Sequence, residues 1–224
     1  MFLTRFQINP ARRNARKLLS SPQTMHAAVR AAFAAAEDYA TADTRTLWRL
    51  DTVGTATVYL YVVSPGRPDF THLVEQAGWP TTESWVTRDY GGLIGSLRPG
   101  ERWAFRLTAN PVHSGRKTAD AKETQRFGRL REHEQIEWLT SRAARHGFAL
   151  ATQQDGRPNV RLHGRQTQTF RRGMGTVTLT MATYDGILQV TDADALRRAM
   201  TGGIGHAKAY GCGLLTLAPA QAVP

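Results

Sequence analysis

The chain has 224 residues, 41% hydrophobic and 21% charged, enough length and apolar content for one large core or two smaller ones. Its 29 Lys and Arg outnumber 18 Asp and Glu, a formal net charge of +11 that points to a polyanionic partner. A single cysteine excludes an internal disulfide and a multi-cysteine zinc site, and no apolar run reaches the roughly 18 residues a membrane-spanning helix requires, so a cytoplasmic protein without membrane contact is expected.

Phe2, Thr4, Phe6 and Ile8 alternate with Arg5, Gln7 and Asn9, which predicts a strand with one buried face. That alternation argues against a transit peptide, although no acidic residue precedes Glu37. After the Pro10 break, Arg12, Arg13, Arg16 and Lys17 read as a basic loop. Ser21-Pro22 supplies a serine cap and a first-turn proline for a helix. Met25, Ala28, Val29, Ala32, Phe33 and Ala36 then form its apolar stripe. Strands are expected over Thr46–Asp51 and Thr55–Val63, a short helix over Asp69–Gln76, and a strand over Trp85–Asp89. This β-α-β-β-α-β order is ferredoxin-like.

Gly91-Gly92 to Pro99-Gly100 reads as a linker, after which the order begins again. Trp103, Phe105 and Leu107 alternate in a strand ending at Asn110-Pro111. Val112–Arg129 is polar, carries Arg116, Lys117, Lys122, Arg126 and Arg129, and reads as a mobile segment. Glu132–His146 is expected to be helical, with Ile136, Leu139 and Ala143 on one side. Strands over Phe148–Ala151, Val160–Arg171 and Thr176–Thr183, a helix over Asp192–Met200 and a strand over Leu214–Leu217 complete the set. The expected fold is α+β: two tandem ferredoxin-like (RRM-like) domains, residues 1–92 and 98–224, the second ending in a glycine-rich loop.

Three features carry candidate chemistry. Gly202-Gly203-Ile204-Gly205-His206-Ala207-Lys208-Ala209-Tyr210-Gly211-Cys212-Gly213 is a loop whose backbone can approach an extended anion closely. It follows a helix and precedes a strand, the reverse of a nucleotide-binding P-loop, and it reads equally as a tight helix-to-strand connection. Arg157, Arg161, His163, Arg165, Arg171 and Arg172 gather on a strand that turns at Gly173-Met174-Gly175. Arginine suits bidentate phosphate recognition, while a charged edge strand is the structural alternative. His26 lies at the edge of the first helix's apolar stripe beside Arg30, where an imidazole titrating near neutrality can move a proton. No metal site is expected: Glu132-His133-Glu134-Gln135-Ile136-Glu137 is not H-E-x-x-H, and reads as the polar face of a surface helix.

These residues together resemble the CasE family, the CRISPR-associated endoribonucleases of the type I-E system. Gly203-Ile204-Gly205-x-Ala207-Lys208-x-x-Gly211-x-Gly213-Leu214-Leu215-x-Leu217-Ala218-Pro219 resembles the family's C-terminal signature. Phe105-Arg106-Leu107-Thr108-Ala109-Asn110-Pro111 resembles its FRLxANP strand end, and Glu134-Gln135-Ile136-Glu137-Trp138-Leu139 its EQxxWL helix. Met1-x-Leu3-Thr4, Asn9-Pro10 and Pro22-x-x-Met25-His26 fit more loosely. The resemblance runs from Met1 to about Pro219.

The resemblance implies metal-independent cleavage of CRISPR precursor RNA at the 3′ side of the repeat hairpin. The upstream 2′-OH attacks and leaves a 2′,3′-cyclic phosphate and a 5′-OH, and the product is retained within the Cascade complex. It places the catalytic histidine at His26. RNA contacts are expected from Arg12, Arg13, Arg16, Lys17, Arg161, Arg165, Arg171, Arg172 and Lys208, with Arg171 and Arg172 gripping the stem. Which of Arg12, Arg13, Arg16, Lys17 or Lys208 assists the chemistry stays open. Some members carry a tyrosine three residues before the histidine. Here Gln23 stands there, and glutamine cannot deliver a proton, although it can orient substrate by hydrogen bonds. No cofactor is expected. The partners are repeat-hairpin RNA and other Cascade subunits, with the free protein monomeric. The alternatives are a non-catalytic RNA-binding subunit of the same type of complex and a general basic nucleic-acid-binding protein.

Overall fold

The computed structural model describes residues 1–33, 44–54, 57–80, 85–116, 118 and 123–220. Strands β1 (Phe2–Ile8), β2 (Leu47–Val53), β3 (Thr57–Ser64) and β4 (Trp85–Asp89) pair antiparallel in the order β2-β3-β1-β4, the ferredoxin-like arrangement. Phe6 lies opposite Leu60 on one side and Trp85 on the other. One face of this sheet packs Phe6, Ile8, Leu60 and Val62 against helices α1 (Arg13–Ser20), α2 (Pro22–Arg30) and α3 (Thr71–Ala77).

Helix α1 replaces the expected basic loop. Ala15 and Leu18, one turn apart, are buried in the core while Arg13, Arg16 and Lys17 face outward. Arg, Ala, Lys and Leu are all good helix formers, so a single buried stripe is enough to hold the helix. Helix α2 begins as expected, with Ser21 Oγ accepting the Thr24 amide at 3.3 Å and Pro22 in the first turn. The helix stops at Arg30, although Ala32 remains buried; Ala36 and Thr55, the first residue of the second expected strand, lie outside the described residues.

The second sheet has the order β11-β5-β10-β8, built from β5 (Arg102–Ala109), β8 (Phe148–Leu150), β10 (Gly175–Val190) and β11 (Leu215–Pro219). Strand β9 (Val160–Arg172) pairs with β10 beside β8, so the ferredoxin-like order recurs with its outer strand split in two. Helices α5 (Glu132–Ala143) and α6 (Ala193–Gly202) complete this half. The buried side of α5 is Gln135, Trp138, Leu139 and Ala143, with Ile136 only half-buried. Among the described residues, no helix is long and apolar enough to cross a membrane.

Two segments differ from expectation. The glycine-bounded linker contains helix α4 (Gly91–Ser96), whose Ile94 enters the core together with Leu97. The Arg197 guanidinium on α6 donates to the carbonyls of Ile94, Gly95 and Leu97 at 3.0, 3.1 and 2.8 Å, which satisfies the end of that short helix. The polar segment after Pro111 forms a two-stranded hairpin of β6 (Val112–Arg116) and β7 (Thr124–Gly128). Lys117 and Lys122 lie outside the described residues.

Neighbouring residues on a strand point to opposite faces, and β2 buries both. Trp48 packs with the N-terminal helices, whereas Leu47 joins Leu107, Trp138, Tyr184 and Leu214 in the C-terminal core. Arg49 and Asp51 share the Leu47 face. Arg49 is 2% exposed and grips Asp51 through two bonds of 2.7 and 2.9 Å. It also donates to the carbonyls of Arg106 and Leu214, both at 3.1 Å. Arg106 reaches Asp51 at 3.3 Å and holds Asp185 through two bonds of 2.6 Å. A continuous ionic chain thus crosses from the first sheet to the second.

Candidate active site at the junction of the two sheets

The second turn of α2 brings His26 to the junction. Met25 and Val29 are buried in the N-terminal core, and His26, one residue further round, is left half-buried. Its ring meets the ring of Tyr210 edge-on, with centroids 6.3 Å apart at 68°. Tyr210 closes a 3-10 turn, Lys208–Tyr210, within the glycine-rich loop. Its other partner is Phe170 of β9, at 4.9 Å and also edge-on. Three segments distant in sequence therefore converge on one ring.

The approach of this loop depends on glycine. Gly211 has φ +80°, and a Cβ there would stand 2.8 Å from the Trp48 ring. Gly205 has φ +81°, with the Trp138 ring 2.9 Å from where its Cβ would lie. Each glycine lets the loop lie flat on a tryptophan, one from each half.

The arginine-rich strand and its partner project beyond the sheet. Gly175–Met181 of β10 pair only with β9, and Gly173-Met174 close the turn. On one face of this arm Leu179 and Met181 pack with Tyr210 and Cys212, supported by Phe170 and Val177. Gln168 donates to the Ser20 carbonyl at 2.9 Å, which fastens the arm to the α1–α2 corner. Arg171 and Arg172 at its tip are exposed, and their side chains make no hydrogen bond among the described residues. Burial, then the charges of Arg30 and Arg172, push the His26 pKa below its ordinary value, so the neutral imidazole is favoured.

The other expected RNA contacts divide into two groups. Arg13 and Lys17, four residues apart on the outer side of α1, are exposed, and their side chains make no hydrogen bond among the described residues. Arg12 donates to the carbonyls of Val74 and Glu75, both at 2.9 Å, and Arg16 to that of Ala11 at 2.7 Å. Arg165 bonds Gln135 Oε1 at 3.0 Å and the Leu130 carbonyl at 2.7 Å, tying the base of the arm to α5. Arg161 lies 3.6 Å from Asp185. Lys208 donates to the Gly202 carbonyl at 2.7 Å, and burial followed by the charge of Arg45 lowers its pKa. Four of these first brace the scaffold, whereas Arg161 is largely exposed and its ion pair is loose.

Sequence reasoning missed Tyr210, Phe170 and the Arg49–Asp51–Arg106–Asp185 chain. The last had a signal: Arg49 and Asp51 stand two apart on one face of an otherwise apolar strand. Beside Tyr210 opens a cleft of about 480 Å³, lined from both halves by Leu18, Met25, Trp48, Asp51, Arg106 and His163 among others. Cys212 is buried, which pushes its thiol up to about 12 and leaves it unreactive. Among the described residues, no three His, Cys, Asp or Glu side chains are grouped to hold a metal ion.

Two ferredoxin-like sheets that meet beside a half-buried histidine and a projecting basic arm make this a tandem ferredoxin-like protein with an exposed cationic surface, and comparison with known proteins shows its family. A family model described as CRISPR associated protein matches residues 1–219. The CRISPR-associated endoribonuclease Cse3 of Thermus thermophilus is 30% identical over 226 residues, covering 98% of this chain and all of the relative. The Cascade subunit CasE of Escherichia coli is 33% identical over 129 residues, 55% of this chain and 61% of that protein. The solved structure of Cse3 bound to a 19-nucleotide RNA superposes with a TM-score of 0.79 at 30% identity, covering 98% of this chain and 100% of that one. The chain belongs to the CasE family of CRISPR-associated proteins.

Proposed function

We propose that this chain cuts CRISPR precursor RNA at the repeat hairpin by metal-independent 2′-OH attack and then holds the product as a Cascade subunit. The observation that carries this reading is His26, half-buried against Tyr210 and within the electrostatic reach of Arg172 on the projecting arm. Likeness to an endoribonuclease over the whole chain supports it.

The arm's exposed tip grips stem phosphates through Arg171 and Arg172, with Arg13 and Lys17 of α1 as further free cations. The deep, narrow major groove of A-form RNA favours shape and phosphate recognition over base reading there. The scissile phosphate sits beside His26. Its neutral imidazole takes the proton of the upstream 2′-OH, whose oxygen attacks phosphorus in line. Arg172 and Arg30 offset the charge of the phosphorane-like transition state. The bond to the 5′ oxygen breaks, and the imidazolium returns the proton to that oxygen. A 2′,3′-cyclic phosphate and a 5′-OH remain. The nucleophile belongs to the substrate, so the scheme needs no metal. Stem contacts survive the cut, which explains retention of the product.

The test uses end-labelled repeat hairpin in EDTA, with His26→Ala protein and a substrate carrying 2′-deoxy at the cleaved nucleotide as controls. A single cut by the parent protein, lost in both controls while binding persists, is expected. Tight binding with no cut in any repeat would leave the RNA-holding subunit as the correct reading.

A further inference from the structure

The glycine-rich loop has a second charged neighbourhood that the chemistry at His26 does not use. Trp138 of α5 has two neighbours from this region: Gly205 lies close against its ring, and the Arg142 guanidinium lies over it at 4.6 Å. Beside Gly205 stands exposed His206, and beyond Arg142, in the 3-10 turn Ala144–His146 that follows α5, stand exposed Arg145 and half-buried His146. The charge of exposed Arg126 on β7 reaches His206, and the charge of Lys208 reaches both histidines.

The accounting of charge is one-sided. Burial comes first in lowering the pKa of Arg142, His146, His206 and Lys208, and the charges that add to the lowering are all cations, opposed only at Arg142 by the Tyr184 hydroxyl. Among the described residues no carboxylate acts on any of the four. Arg129 nearby is already paired with Glu137 at 3.2 Å. Arg126, Arg142, Arg145 and Lys208 thus lend one surface a positive field, which concentrates an anionic ligand there.

We propose that this surface binds the phosphodiester backbone of single-stranded RNA adjoining the hairpin. The reading rests on the RNA cleavage proposed above and extends the bound RNA past the cut. Continuity argues for RNA: Tyr210, against His26, and His206 belong to the same loop only four residues apart. The cations also suit phosphate. Arg142 is pre-oriented by its ring contact and by bonds to the Trp138 carbonyl and Ser141 Oγ, and its planar fork matches phosphate oxygens.

The test compares the parent with Arg126→Ala/Arg145→Ala, two exposed arginines whose side chains make no hydrogen bond among the described residues, and circular dichroism checks that the double variant keeps the fold. Binding is measured against salt for a minimal hairpin and for a hairpin with single-stranded flanks on both sides, each made non-cleavable by 2′-deoxy substitution. On the flanked RNA the variant's log–log salt slope should be shallower by about 1.4, roughly 0.7 for each lost phosphate contact, with binding weakened about tenfold at low salt. On the minimal hairpin, affinity, slope and cleavage rate should match the parent. Identical slopes for parent and variant on the flanked RNA would overturn the proposal. So would equal losses on both RNAs, which would place the stem on this surface, or unchanged RNA binding with lost assembly into Cascade, which would make it a protein contact. Failure of the cleavage reading looks different: the parent itself would show no cut and no hairpin preference.

Discussion

The rings of His26 and Tyr210 meet edge-on at 6.3 Å, and this contact joins a helix of the first half to the glycine-rich loop of the second. Tyr210 is 9% exposed and held from behind by Phe170 at 4.9 Å. The imidazole therefore has one side packed and one side open, and its orientation is set by residues nearly two hundred positions away in sequence. An aromatic pair of this kind contributes about 0.5–1.5 kcal/mol beyond its buried area, enough to bias one rotamer.

Tyr210 thus acts as a positioning residue. Tyr210→Phe keeps the ring and should leave single-turnover cleavage within about twofold, whereas Tyr210→Ala should lower it about tenfold or more, the scale of rate loss a small misplacement brings. Hairpin affinity should hold in both variants. Equal rates for the Phe and Ala variants would rule out a positioning role.

Burial and the cations Arg30 and Arg172 disfavour the imidazolium, so in the RNA-free protein His26 should titrate below 6.5. A proton NMR titration of its ring reads this directly. Removing a positive neighbour favours the charged form, so Arg172→Ala should move the midpoint upward. Burial, the larger cause, remains and keeps it from returning fully. A midpoint unmoved in the variant would show that the tip of the arm does not reach the histidine.

Arg49 is 2% exposed, and Asp51 is its ionic partner. Asp51→Ala leaves a buried guanidinium without its counter-charge and should cost about 3–5 kcal/mol in urea unfolding. A loss under about 1 kcal/mol would mean that the two backbone carbonyls alone satisfy Arg49.

Asp185 makes stability pH-dependent. Burial tends to raise its pKa, but the paired bonds and charge of Arg106, with His163 beside it, hold the carboxylate below its ordinary range. A depressed folded-state pKa contributes stability that is present above the unfolded value and lost as pH falls through the folded one. Acid should therefore destabilise the parent more steeply than Asp185→Asn, compared by unfolding midpoints between pH 7 and acidic pH.

Gly211 and Gly54 both adopt positive φ, at +80° and +62°, but only Gly211 has a ring where a Cβ would go. Gly211→Ala should cost about 2–4 kcal/mol, conformational strain plus overpacking, and Gly54→Ala about 1–2, strain alone. Thermal or urea unfolding of the two variants separates these contributions. Equal costs would show that Trp48 yields without penalty.

Local pattern made much of the molecule legible. The alternation Phe2, Thr4, Phe6, Ile8 and the Ser21-Pro22 cap each specify an element through neighbours a few residues away, and the element order then yields the ferredoxin-like repeat. Local pattern failed where packing overrode composition. The cations of α1 masked the Ala15 and Leu18 anchor, the glycines of α4 masked Ile94 and Leu97, and the polar residues of β6 and β7 concealed a hairpin.

The sequence by itself determined the class of fold, the basic character, the arginine strand and the place of His26 on its helix, because each depends on residue type and short-range spacing. Only the tertiary structure decided which cations remain free and which brace the scaffold. It alone set Tyr210 and Phe170 behind the histidine and ran the Arg49–Asp51–Arg106–Asp185 chain between the sheets. The physical reason is range. A hydrogen bond or ring contact needs atoms within a few ångströms, and here those atoms are brought together by sheet order and loop approach from positions far apart along the chain.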